Sequence, residues 1–119
     1  MDKITTTIER QWLREIVAKR KKVEYREIKP YWQKRFDAVK TPFLLRLING
    51  MQKNAPEVTV EIARVHANKS QKRFELTIRK IVSIKNWDKK REIPADNNYM
   101  HRTWKKGQSL SQARPQSRR

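Results

Sequence analysis

The chain has 119 residues, 36% of them hydrophobic, which suffices for one core of ordinary domain size and not for a second. Thirty Lys and Arg against twelve Asp and Glu leave a net charge of +18, and such a surface repels itself unless a polyanion screens it, so nucleic acid is the expected partner. The absence of cysteine excludes disulfides, thiolate catalysis and any Cys-based zinc site. The two histidines, His66 and His101, stand in polar surroundings and read as surface residues, so neither metal nor cofactor is expected.

The first ten residues, MDKITTTIER, contain no apolar stretch of the kind a signal peptide needs, and no run approaches the roughly 18 apolar residues of a membrane span. The expectation is a protein without membrane contact, cytoplasmic or carried within a phage particle. Ile4 to Thr7 is rich in β-branched residues and reads as extended. Thr6 followed by Glu9 has the spacing of a capping box, which predicts a helix from about Ile8 to Lys19. Along it Ile8, Trp12 and Ile16 with Leu13 and Val17 form one apolar stripe, which assigns Trp12 to the core.

Val23 to Ile28 reads as a short strand. Val23 and Tyr25 share one face, possible core, and Glu24, Arg26 and Ile28 share the other. Pro30 ends it, and Tyr31 to Phe36 reads as a helical turn. Phe43 to Ile48 is a third extended segment, closed by the turn residues Asn49 and Gly50. Val58, Val60 and Ile62 alternate with Thr59, Glu61 and Ala63, and Phe74, Leu76 and Ile78 alternate with Glu75, Thr77 and Arg79. These are two half-buried strands joined by a loop near Asn68 to Gln71. Lys80 falls on the apolar phase of the last strand, and a bulge is expected to turn it outward. Several strands with one or two early helices predict an α+β fold, a small curved sheet or barrel covered by helix.

The composition changes near Trp87. Residues 1–87 read as the folded domain and 88–119 as a basic, partly disordered C-terminal tail. Both parts are basic: residues 1–86 carry 21 cations against 9 acids, and residues 87–119 carry 9 against 3. Trp87, Tyr99, Met100 and Trp104 are large apolar groups for a linker, so part of the tail is expected to dock on the domain or on a protein partner, and the final GQSLSQARPQSRR is expected to be disordered.

The densest polar constellation is AKRKKVEYREIKPYW, Ala18 to Trp32. Lys19, Arg20, Lys21 and Lys22 follow the helix, where one or two cations complement its negative end; four exceed that need. Glu24 and Arg26, two apart on a strand, can fix each other's geometry by a charge-assisted hydrogen bond.

The run from Lys19 to Arg26 resembles the signature of the ASCH domain, of the PUA-like superfamily, whose pattern is Gly-x-Lys-x-x-Glu-x-Arg directly after the first helix. Lys21, Glu24 and Arg26 match; Lys19 stands where the glycine is usual. The stretches VEYREIKPYW and IVSIKNW are similar to ASCH proteins of bacteria and their phages, and the resemblance covers roughly residues 3–87. It implies a PUA-like β-barrel with a cleft beside the motif and a link to RNA or modified nucleosides. Some members are ribonucleases and others amidohydrolases acting on acetylcytidine. In the latter the motif lysine is catalytic beside a threonine at the position of Glu24, so Lys21 is retained here and the threonine is not.

Three functions follow as expectations. As an RNA-binding module, with RNA favoured over DNA, the chain would contact phosphates through Lys19, Arg20, Lys21 and Lys22. Glu24 and Arg26 would then line the cleft floor, Tyr25, Tyr31 or Trp32 would stack on an unpaired base, Tyr25 less readily because its strand face reads as core, and Arg46 would join the cleft. As a hydrolase, it would use Lys21 as nucleophile or base, with Glu24 moving a proton. As a phage packaging protein, it would hold nucleic acid through its basic tail.

Overall fold

A computed structural model describes residues 1–95. Residues 96–119, and with them the expectations for Tyr99, Met100, Trp104 and the disordered end, lie outside the described residues. The elements run β1 (Lys3–Thr7), α1 (Arg10–Val17), β2 (Val23–Glu27), α2 (Pro30–Asp37), β3 (Phe43–Ile48), β4 (Glu57–Asn68) and β5 (Arg73–Lys85), followed by a small hairpin of β6 (Trp87–Asp88) and β7 (Ile93–Pro94). The first five strands form one sheet in the order β1-β3-β4-β5-β2, with β1 parallel to β3 and the other pairs antiparallel. The α+β expectation holds: the sheet curls into a half-barrel with two helices.

The core lies on the inner face of this sheet. Leu13 and Ile16 of α1 and Phe36 of α2 pack with Phe43, Leu45 and Leu47 of β3, Val58, Val60 and Ile62 of β4, and Phe74 and Leu76 of β5. Alternation makes these strands one-sided, yet β4 is buried on both faces from Glu57 to Ile62. It is the central strand, and the side chains of Arg46, Arg79 and Lys80 pair with the glutamates Glu57 and Glu61 on its outer face. The half-buried expectation for β4 therefore applies only beyond Ile62.

The bulge forms, and it is compound. Thr59 pairs with Ser83, Val60 with Ile81, Glu61 with Lys80 and Ile62 with Ile78, so Val82 and Arg79 are extra residues on β5. Two extra residues convert a period of two into a period of three. Ile78, Ile81 and Ile84 therefore reach the core while Lys80 and Val82 are exposed.

The capping box does not form. Thr6 belongs to β1, and Glu9 is itself the N-cap, with no side-chain capping hydrogen bond. At the other end Ala18 is the C-cap and Lys19 adopts a left-handed conformation with φ 64°. Lys19 N–H donates to Ile16 C=O and Arg20 N–H to Glu15 C=O, both at 2.9 Å, the two bonds of a Schellman motif. A lysine at this position carries the steric cost that glycine avoids, about 1–2 kcal/mol, offset in part by the greater entropy glycine loses on folding. Lys19→Gly is expected to stabilise the fold by about 0.5–1 kcal/mol, read as a higher urea midpoint at unchanged slope; a lower midpoint would contradict this account of the turn.

Trp87 is buried against the core, and the chain continues into the β6–β7 hairpin. Arg20 and Arg14 hold that hairpin: Arg20 donates to Glu92 Oε1 at 3.1 Å and Arg14 to the Glu92 carbonyl at 3.3 Å. No helix among the described residues is long and apolar enough to cross a membrane.

Candidate nucleic-acid interface

Strands β1 and β2 are the two edges of the curled sheet. Side chains rather than a backbone ladder bridge them. Arg26 of β2 donates through Nη2 to the Thr7 carbonyl at 3.0 Å, and Arg35 of α2 donates to the Thr5 carbonyl at 3.2 Å. Glu24 and Arg26 share a face, as their spacing predicts, and that face is the inner one. Glu24 is 5% exposed and accepts from Arg26 Nη2 at 2.7 Å. Tyr25 therefore points outward at 41% exposure, which corrects the reading of its strand face as core and keeps the ring among the stacking candidates. The ion pair orders the inner face of an edge strand, and the aromatic ring is left in solvent.

Lys21 reaches across this edge. Its ammonium lies 3.6 Å from Glu24 Oε1, 4.5 Å from the centre of the Tyr25 ring and 5.1 Å from that of Trp12. The guanidinium of Arg73 lies 4.0 Å from the same Tyr25 ring centre. Trp12 is 44% exposed, a second correction. At about 100° per residue it stands some 140° from Val17, at the margin of the stripe centred on Leu13. Ile8, Glu9, Trp12, Lys21, Glu24, Tyr25 and Arg26 surround a cavity of about 330 Å³, at the small end of ligand sites. Arg26 Nε is buried with no acceptor among the described residues.

The other expected site residues are distributed differently. Arg20 is not a free phosphate contact, because Glu15 holds it by two hydrogen bonds of 2.9 Å and Glu92 by further ones. These hydrogen bonds, Glu15 first, push the guanidinium pKa further above its ordinary value. Lys19 and Lys22 remain exposed, with no ion-pair partner among the described residues. Trp32 stacks on Phe36, with the guanidinium carbons of Arg26 and Arg35 at 5.2 and 5.4 Å from its ring centre, so its faces are taken by the protein. Tyr31 is 60% exposed, but its hydroxyl accepts from Arg35 at 2.7 Å on α2, apart from the Lys21 cavity.

Arg46 does not line the Lys21 cavity. It makes a two-pronged pair with Glu57, both bonds 2.9 Å, beside a separate cavity of about 540 Å³ near Thr5 and Thr7. Arg46 hydrogen bonds lower the Glu57 carboxyl pKa against the opposing effect of burial. A depressed folded pKa contributes stability above the unfolded value, about 4.3, and that contribution is lost as pH falls through the folded value. Wild type is therefore expected to exceed Arg46→Gln in stability at pH 7, with the gap closing below about pH 4. Urea melts at both pH values test this, and a gap that stays constant or widens in acid would be inconsistent with it.

Among the described residues no three His, Cys, Asp or Glu side chains gather as a metal site requires. No protein family, curated protein or solved structure matches the chain.

Proposed function

We propose that the protein is a PUA-like, ASCH-type module that binds single-stranded RNA in the cleft around Lys21. The observation that carries the reading is the cluster of Trp12, Lys21 and Tyr25, two exposed rings holding an ammonium over a buried Glu24–Arg26 pair. Trp12 offers a stacking surface to an unpaired base, and Tyr25, whose ring centre lies 4.5 Å from the Lys21 ammonium and 4.0 Å from the Arg73 guanidinium, holds cations that contact the backbone. The +18 charge adds affinity that does not depend on sequence. RNA takes precedence over DNA on the resemblance of Lys21, Glu24 and Arg26 to the ASCH signature, and a cytoplasmic or phage-particle setting belongs to the same reading.

The hydrolase alternative requires a neutral amine at Lys21, whereas its neighbours, a carboxylate and two ring faces, suit a cation. The test is binding and cleavage of a pool of short RNAs by wild type and Lys21→Gln, at low and moderate salt. Binding without products, weakened by the substitution and by salt, is the expected result. Products from wild type alone would replace the binding reading with a hydrolase. Binding indifferent to Lys21→Gln would move the contact to the basic tail and favour the packaging role.

A further inference from the structure

A second cavity, of about 290 Å³, adjoins the first through Lys21. Its apolar walls are Ile16, Ile78 and Ile81, and its polar ones are all cationic. Lys19, Lys21 and Lys22 come from the connection between α1 and β2, and Arg79 and Lys80 come from β5. Among the described residues no acidic side chain lines it.

The β5 cations are placed there by the bulge. In a regular strand Arg79 and Lys80 would point to opposite faces; with Arg79 outside the ladder, both reach the buried Glu61, Arg79 at 3.1 Å and Lys80 at 3.9 Å. Glu61 thus anchors two adjacent cations whose side chains remain well exposed. Lys19 is presented by the left-handed turn that ends α1.

We infer that this cavity receives the terminal phosphate of the RNA strand whose neighbouring base occupies the Trp12, Lys21 and Tyr25 cleft; the inference rests on that reading of the cleft. A phosphodiester brings one negative charge, and its second ester bond must leave the cavity again. A terminal phosphomonoester brings up to two charges and three oxygen acceptors, a closer match to the excess of three positive charges that remains when Glu24 and Glu61 are set against the five cations. Arg79 and Lys80 become the residues that distinguish a phosphorylated end from a hydroxyl end.

The experiment compares three oligoribonucleotides of one sequence, bearing a 5′-phosphate, a 3′-phosphate or neither, by fluorescence anisotropy with the full chain at fixed salt. One of the phosphorylated strands is expected to bind about tenfold more tightly than the strand with two hydroxyl ends, as a new charge-assisted contact implies. Arg79→Ala with Lys80→Ala should erase that advantage while leaving affinity for the hydroxyl-ended strand within about twofold to threefold; Lys69→Ala with Lys72→Ala, on the β4–β5 turn, should not. Equal affinity for all three strands, or an advantage that survives the β5 substitutions, overturns the inference. Its failure is distinct from failure of the cleft reading, which is registered by unchanged binding of the hydroxyl-ended strand to Trp12→Ala with Tyr25→Ala.

Discussion

Arg26→Met is expected to destabilise the protein by about 3–5 kcal/mol, the cost of leaving a buried charge without its principal partner. Glu24 would keep only Lys21, at 3.6 Å, in place of a 2.7 Å charge-assisted bond. The Thr7 carbonyl would also lose its donor, and with it the side-chain hydrogen bond that joins β2 to β1 across the edges of the half-barrel. Total stability of small domains is about 5–15 kcal/mol, so the loss is a large fraction of it and should lower the melting temperature by roughly 15–30 °C. Replacing both members, Glu24→Leu with Arg26→Met, is expected to recover part of the loss, because the uncompensated charge is then gone. Urea denaturation of the three variants measures the coupling. A loss below about 1 kcal/mol for Arg26→Met would mean that the pair is solvated and the edge bridge carries no weight. The motif arginine is thus assigned a structural duty whatever it does for a ligand, and loss of binding in an Arg26 variant carries no functional meaning without a stability measurement beside it.

What the sequence made legible follows from how local each determinant is. The bounds of β3 and the shared face of Glu24 and Arg26 are fixed by alternation within a few residues, and the structure keeps both. The outward turn of Lys80 was legible because an apolar phase broken by one lysine has a local remedy. Which face of β2 turns inward was not. Apolar content favours Val23 and Tyr25, but the choice depends on what lies across the barrel mouth, where the Thr7 carbonyl needs a donor. Trp12 sits at the edge of its stripe, and its exposure depends on what α1 packs against. Arg46 finds Glu57 as a diagonal neighbour across two strands, since Arg46 pairs with Thr59 and Ile48 with Glu57. Their register is set by the connection between β3 and β4, which alternation does not encode. Arg20 and Glu92 meet 72 residues apart, in a hairpin beyond the expected boundary of the domain. Trp12, assigned to the core by its stripe, and Tyr25, a stacking candidate discounted for its strand face, are the residues around which the proposed cleft is built.

Trp12→Ala with Tyr25→Ala should reduce affinity for a short single-stranded RNA by about tenfold or more, since a base stacked on an aromatic ring is worth about 1–3 kcal/mol. Both rings are more than 40% exposed, so the double variant should fold with nearly wild-type stability, within about 1 kcal/mol. The dependence on salt separates this contribution from the cationic one. The terminal phosphate held by the neighbouring cavity brings up to two charges, which adds about −1.4 to the slope of log affinity against log salt for a single strand, roughly a sevenfold loss between 50 and 200 mM. Removing two rings that carry no charge should lower the line and leave its slope alone, whereas removing Arg79 and Lys80 should flatten it, by up to about one unit, for a strand whose terminal phosphate they hold. If the aromatic variant flattens the slope instead, Trp12 and Tyr25 act by positioning Lys21 rather than by stacking, and the cation–π contacts at 5.1 and 4.5 Å are then the reason the rings are there.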